Sequence, residues 1–204
     1  QIQQAVKLIQ KAKRPVIIAG HGVIFSEAYA ELRTFAEKTQ MPVITTLLGI
    51  SCFPEDHVLS VGMPGMHGMA YASLAIEQSD LLVAIGMRFD DRIIGNAARF
   101  APNSKKIHIE IDPSEINKII KADVAINADA KEALIHLLPF INKNEYKHWI
   151  SEFKKCDEIE FNKIIKKELN HDGKEIKMTE VIHLIFSFLD NDHLYHTLKM
   201  DFSN

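Results

Sequence analysis

Apolar positions along roughly the first 140 residues alternate between two spacings. Ile2, Ala5, Leu8, Ile9 and Ala12 recur at helical intervals, and residues 16–19 then form an unbroken apolar run ending in Gly20-His21-Gly22. The first spacing predicts an amphipathic helix and the second a strand buried on both faces. A further helix is expected from Ser26, a good N-cap followed by the acidic Glu27, to about residue 38. Pro42 opens a strand over 42–46, and a loop rich in Gly, Pro and Met fills 48–68. Then come a helix over 69–78, a strand over 81–85 and another over 106–111. Pro113 suits the first turn of a short helix over 113–119, before a strand over 124–126 and a helix over 130–140.

Short buried strands alternating with helices predict an α/β fold, a doubly wound, Rossmann-like parallel sheet with helices on both faces. No tandem period suggests a solenoid. Beyond Ile141 the character changes: residues 142–174 are dense in Lys and Glu, with Trp149, Phe153 and Phe161 on one helical face. Residues 178–189 form a second amphipathic candidate, and 190–204 carry no usable pattern. The expected division is a ligand-binding domain over 1–141 and a helical C-terminal extension over 142–204.

Composition narrows the function. With 47% hydrophobic residues there is material for a full core, and a net charge of −3 gives no reason to expect a nucleic-acid or anionic-membrane partner. The only cysteines, Cys52 and Cys156, are far apart, which fits a reducing compartment and argues against a disulfide scaffold. The histidines show no metal-ligand spacing, and no metal site is expected. No apolar run approaches the roughly 18 residues of a membrane span. The chain begins at Gln1 with helical periodicity already under way, and reads as an excised piece of something longer.

The chemistry concentrates in residues 81–92, where an apolar strand ends at Gly86 and Met87, Arg88, Phe89, Asp90, Asp91 and Arg92 follow. In an open α/β sheet, ligands bind just past the carboxyl end of such a strand. Two arginines there suit an anionic group, and Phe89 is expected to offer a flat apolar face. The alternative is a solvated network of Arg88 and Arg92 with Asp90 and Asp91. Gly20-His21-Gly22 suggests a second ligand-approach point, but the dinucleotide fingerprint needs a further glycine where Phe25 stands. Thr45 and Thr46 occupy the place of the acid an NAD site would carry, so a nicotinamide site is disfavoured. Gly62, Gly65 and Gly68 precede a helix and form a candidate anion turn; the nearby Met63, Met66 and Met69 read equally as a plastic apolar wall. Glu110 and Asp112 end a strand, where carboxylates accept from ribose or ribityl hydroxyls. Asp112 is alternatively a helix cap, with Glu115 completing a capping box. No nucleophile elbow or other self-sufficient catalytic constellation is present.

Arg88-Phe89-Asp90-Asp91-Arg92-Ile93 resembles the R-F-D-D-R hallmark of the acetolactate synthase (acetohydroxyacid synthase) large catalytic subunit family. Thr45-Thr46-Leu47-Leu48-Gly49, Gly65-Met66-His67-Gly68 and Glu110-Ile111-Asp112-Pro113 match that family's central domain in order and separation. The resemblance covers residues 1–141 and implies an FAD-binding domain. It also implies two outer domains that bind thiamine diphosphate and Mg2+ and carry the catalytic residues. Such a parent decarboxylates pyruvate and joins it to a second 2-keto acid in branched-chain amino-acid biosynthesis, a transferase (carboligase) activity in which the required flavin does no net redox. This piece alone is then inactive.

Carried over position by position, the resemblance puts Gly20, His21 and Gly22 along the FAD phosphates and Thr46 and Leu47 along the cofactor. It puts Met66, His67 and Gly68 at the flavin end, Gly86, Arg88 and Asp90 in the cradle, and Glu110, Ile111 and Asp129 around the adenosine. Arg92 matches the arginine that receives the carboxylate of the second keto acid. The implied partners are FAD, 2-keto acid substrates, a second copy in a homodimer or larger assembly, and a small regulatory subunit, with no nucleic acid or membrane. The implied location is cytoplasmic in a bacterium and plastid or mitochondrial in a eukaryote. Two other readings stay open: a stand-alone nucleotide-sensing module, and the central domain of another thiamine-dependent enzyme.

Overall fold

Among the described residues six short strands, none longer than six residues, build one parallel sheet, and the unbroken apolar runs at 15–19 and 81–85 reflect burial from both sides. They are β1 (Pro15–Ala19), β2 (Val43–Thr45), β3 (Ser60–Gly62), β4 (Leu81–Ile85), β5 (Lys105–Glu110) and β6 (Val124–Asn127). The spatial order β3-β2-β1-β4-β5-β6 is that of a doubly wound dinucleotide-binding sheet. This computed structural model describes residues 1–65 and 67–166, with isolated positions between 177 and 185.

Side chains alternate across the sheet and divide the core in two. Ile17, Val83, Ile85, Ile107 and Ile109 face one layer. It is made by α1 (Ile2–Lys11), α3 (Tyr29–Thr39) and α6 (Ala130–Leu137), through Ile9, Phe35 and Leu134 among others. Val16, Ile18, Leu82 and Ala84 face the other, made by α4 (Ala70–Gln78) and α7 (Lys147–Glu160). α7 docks through Trp149 and Phe153, both buried. The Trp149 indole donates to the Pro15 carbonyl at 3.0 Å, and the Arg14 guanidinium lies 5.5 Å from the centre of its ring. The region after α6 is thus fastened at the amino edge of the sheet, where β1 begins.

Four local expectations are corrected. Ser26 does not start a helix. It closes the short α2 (His21–Phe25), its hydroxyl donating to the Gly22 carbonyl at 2.8 Å, and α3 begins only at Tyr29, after Glu27 turns through φ 52°. The loop expected over 48–68 contains β3, too short for alternation to reveal it. Residues 113–119 form turns and a bend in place of a helix, because Asn117 adopts φ 61° and its side chain accepts from the Ala122 amide at 2.8 Å. The helix expected over 130–140 stops as an α-helix at Leu137 and tightens into a 3-10 turn, Leu138–Phe140, around Pro139. The helix candidate over 178–189 lies for the most part, and the stretch 190–204 wholly, outside the described residues.

Candidate functional site

All the strands point their carboxyl ends to one edge. The chain leaves β1 toward β2 on one side, and β4 leads to β5 on the other, so a crevice opens between the exits of β1 and β4. Gly20, Gly22 and Gly86 meet there. The Gly20 amide donates to the Ile85 carbonyl at 2.9 Å and the Gly22 amide to the Gly86 carbonyl at 2.8 Å. A Cβ on Gly20 would lie 2.5 Å from the Gly86 carbonyl oxygen. These glycines let two backbone turns touch, and all three of their amides face into the protein, that of Gly86 donating to the Ile109 carbonyl at 2.8 Å. His21 stacks on Phe25 with ring centres 4.1 Å apart.

On the β2 side, the buried Thr46 donates its amide to the Ala19 carbonyl at 2.9 Å. A tight turn, Leu47–Gly49, follows, and a Cβ on Gly49 would come within 3.0 Å of the Gly20 Cα. That close approach sets Leu47 and Leu48, each 65% exposed, beside the Gly20 turn.

Beyond β4 the in-and-out rhythm of the strand persists for three more residues. Met87 and Phe89 are buried and Arg88 between them is exposed. The expectation that Phe89 offers a face to a ligand is therefore corrected. Its ring packs edge-on against Phe100 at 5.9 Å and His108 at 4.9 Å. Among the described residues Arg88 pairs with the Asp90 carboxylate alone, at 3.5 Å. Asp90 caps the single turn α5 (Asp91–Ile94). The Arg92 amide donating to Asp90, followed by the interaction with Asp91, holds the Asp90 carboxyl below its ordinary range.

The glycine-rich loop before α4 shares this edge with Arg92, for a Cβ on Gly65 would lie 2.9 Å from the Arg92 carbonyl oxygen. The Met69 amide donates to the Met63 carbonyl at 2.8 Å, Gly68 is tucked against that carbonyl, and His67 is exposed. Met63 and Met69 face the core, so the wall they make is internal. Met66 lies outside the described residues.

At the far end of the edge, Glu110 is buried and accepts the Asp112 amide at 3.1 Å through one carboxylate oxygen. Ile111 is 65% exposed. Asp112 accepts the Ser114 amide at 2.8 Å in a turn, and Glu115 pairs with Lys118, so no capping box forms. Asp129 caps α6, accepting the Lys131 and Glu132 amides.

Two residues escaped the sequence reading. The Asn127 side-chain amide donates to the carbonyls of Glu110 and Ile111 at 2.8 and 2.9 Å, tying the β5 exit to β6. An asparagine closing a strand just before a helix was the available signal. His108, in mid-strand and fully buried, approaches the Met87 carbonyl with Nε2 at 2.9 Å. Burial lowers its pKa against the opposing pull of that carbonyl and of Glu110 and Glu115, so the imidazole is neutral and Nε2 carries the proton it donates. One histidine in an apolar strand gives no sequence signal.

The family model of the thiamine pyrophosphate enzyme central domain matches residues 2–137, from the first helix to the end of α6. The chain belongs to that family. This central domain is 56% identical over 138 residues to the acetolactate synthase large subunit of Corynebacterium glutamicum, an alignment covering 68% of this chain and 22% of the relative. It is 44% identical over 201 residues to the probable acetolactate synthase large subunit of Methanocaldococcus jannaschii (94% and 33%). With the acetolactate synthase large subunit of Buchnera aphidicola subsp. Schizaphis graminum the identity is 40% over 193 residues (91% and 32%). The chain thus spans between about a fifth and a third of the length of these relatives.

Proposed function

We propose that this chain is the FAD-holding central domain of an acetolactate synthase large subunit. The observation that carries the reading is Arg88. Its side chain is 63% exposed at the crevice between β1 and β4, with one distant carboxylate as its partner among the described residues, while the residues on either side of it are buried. A planar guanidinium with five donors suits a pyrophosphate. The Gly20 and Gly22 amides are already engaged, so the phosphate charge falls to Arg88, with the His21 turn as its floor.

The rest of the edge fits the same ligand. From the β2 exit to the β6 exit there are four interstrand steps of about 4.8 Å, roughly 19 Å, a span for an extended dinucleotide. Leu47, Leu48 and Ile111 offer exposed apolar surface for flat rings. Glu110 and Asp129 each add carboxylate oxygens for hydroxyls, and His67 and Gly68 stand beside Arg92 at the flavin end. Arg92 receives the carboxylate of the second 2-keto acid. In the parent, thiamine diphosphate and Mg2+ held by other domains supply the decarboxylation and carboligation; the residues of this domain bind and orient.

The proposal extends to the parent's assembly, a homodimer or larger with a small regulatory subunit as further partner, and to a cytoplasmic place in a bacterium. Among the described residues no helix is long and apolar enough to cross a membrane. The test is a thermal titration of the full-length protein with FAD and, as control, NAD. A ligand that binds only the folded state at a hundred times its Kd adds about 2.7 kcal/mol of stability. An FAD-specific rise in Tm and a flavin spectrum are expected. Equal shifts with both nucleotides, or none, overturn the reading and favour a central domain that holds another nucleotide or none.

A further inference from the structure

His108 has no place in the roles assigned so far. It sits in the middle of β5 with a small residue on each flank, Ala84 of β4 and Ala125 of β6. That room lets the ring stand upright on the α4 face, where it meets the inward residues of the segment beyond β4. Nε2–H donates to the Met87 carbonyl at 2.9 Å, and the ring packs edge-to-face with Phe89, their centres 4.9 Å apart. Nδ1 is buried and has no hydrogen-bond partner among the described residues. A buried polar atom left bare is costly and is not there for packing alone, since a phenyl ring would fill the space without the penalty. The compensating bond is the one to Met87.

The consequence is geometric. Met87 and Phe89 are both held from below by the same imidazole, one through its carbonyl and the other through its ring. Arg88, between them, has only one direction left, outward over the carboxyl edge. We propose that His108 is the positioning residue for Arg88, fixing the Met87 carbonyl so that the guanidinium stands ready for the pyrophosphate of a bound dinucleotide. The inference rests on the FAD reading of the site and deepens it: the anion contact is set by a buried neutral histidine on the next strand rather than by the glycine turn.

The experiment uses the full-length protein stripped of flavin, and reads the Kd for FAD together with the visible circular dichroism of the bound flavin. H108F keeps the ring and removes the donor. H108Q places an amide nitrogen near the position of Nε2. H108F is expected to raise the Kd about tenfold and alter the flavin dichroism, and H108Q to restore both to within about twofold. In the double variant with Arg88→Ala, H108F is expected to add nothing to the loss already caused at Arg88. Unchanged affinity in H108F overturns the proposal, as does equal loss in H108F and H108Q, or additive loss in the double variant. Should H108F fail to fold, H108N, which is smaller and falls short of the Met87 carbonyl, serves in its place. A wild-type protein that takes up no FAD is distinguishable from all of these, and removes the reading of the site and this inference together.

Discussion

The Gly22 amide donates to the Gly86 carbonyl at 2.8 Å, and a Cβ on Gly22 would lie 2.7 Å from the Gly86 Cα. Two turns whose glycines lie 64 residues apart in sequence are in backbone contact, with no side chain between them. The floor of the crevice is therefore rigid and made of main chain.

Gly22→Ala forces those turns apart. Because the obstacle is backbone and not the end of a flexible side chain, a loss of about 1–3 kcal/mol of folding stability is expected, the range of overpacked cores. The urea midpoint of the purified protein, at unchanged m-value, measures it.

Arg88→Ala and Arg92→Ala separate two roles. The first is expected to weaken FAD binding by about 10–100-fold, the size of one or two lost charge-assisted hydrogen bonds. Flavin content by absorbance measures that loss. The second leaves flavin content near wild type and raises the KM for the second 2-keto acid. Equal flavin loss in both variants would assign the two arginines one shared structural role.

His108 makes stability depend on pH. Desolvation first, against the Met87 carbonyl and the charges of Glu110 and Glu115, puts its folded pKa below the ordinary 6.5. Below that ordinary value the unfolded chain binds a proton that the folded one refuses, so stability falls with acidification until the folded pKa is passed. The contribution is fully present above pH 6.5. Melting curves between pH 7.5 and 5 should show H108Q losing less than wild type; parallel curves would mean that the imidazole is not buried as described.

Trp149→Ala removes the plug that holds α7. A buried indole with a hydrogen bond to Pro15 and Arg14 above its face is worth about 3–5 kcal/mol on truncation to Ala. Far-UV circular dichroism with a denaturant series reads the cost. FAD affinity of the fraction that stays folded is expected to be unchanged, because Trp149 lies at the edge of the sheet opposite the crevice.

The strands were legible because both faces of the sheet are covered, so that β1 and β4 read as solid apolar runs between breakers. The edge strand β3 was not, since three residues with only Val61 buried leave no periodicity. Ser26 illustrates a different limit. A serine caps either end of a helix, and the carbonyl of Gly22, four residues back, took its hydroxyl first. Past β4, the exit position of Arg88 was legible from the apolar run and glycine before it, and Phe89 was misjudged because strand alternation runs past the glycine. The partners of His108 and Asn127 were out of reach for one reason: each acts on a main-chain carbonyl of a neighbouring segment, and which segments become neighbours is a property of the sheet order.

The two faces of the sheet also sort the two thiols of the chain, Cys52 in the layer of α1, α3 and α6 and Cys156 on α7 at the other. Burial pushes the Cys52 thiol up to about 12, so its thiolate is scarce at neutral pH, whereas Cys156 is partly accessible on α7. Alkylating dyes accordingly fall on Cys156. A fluorophore carried there reports the seam between α7 and the sheet, and stays silent when a nucleotide settles at the opposite edge.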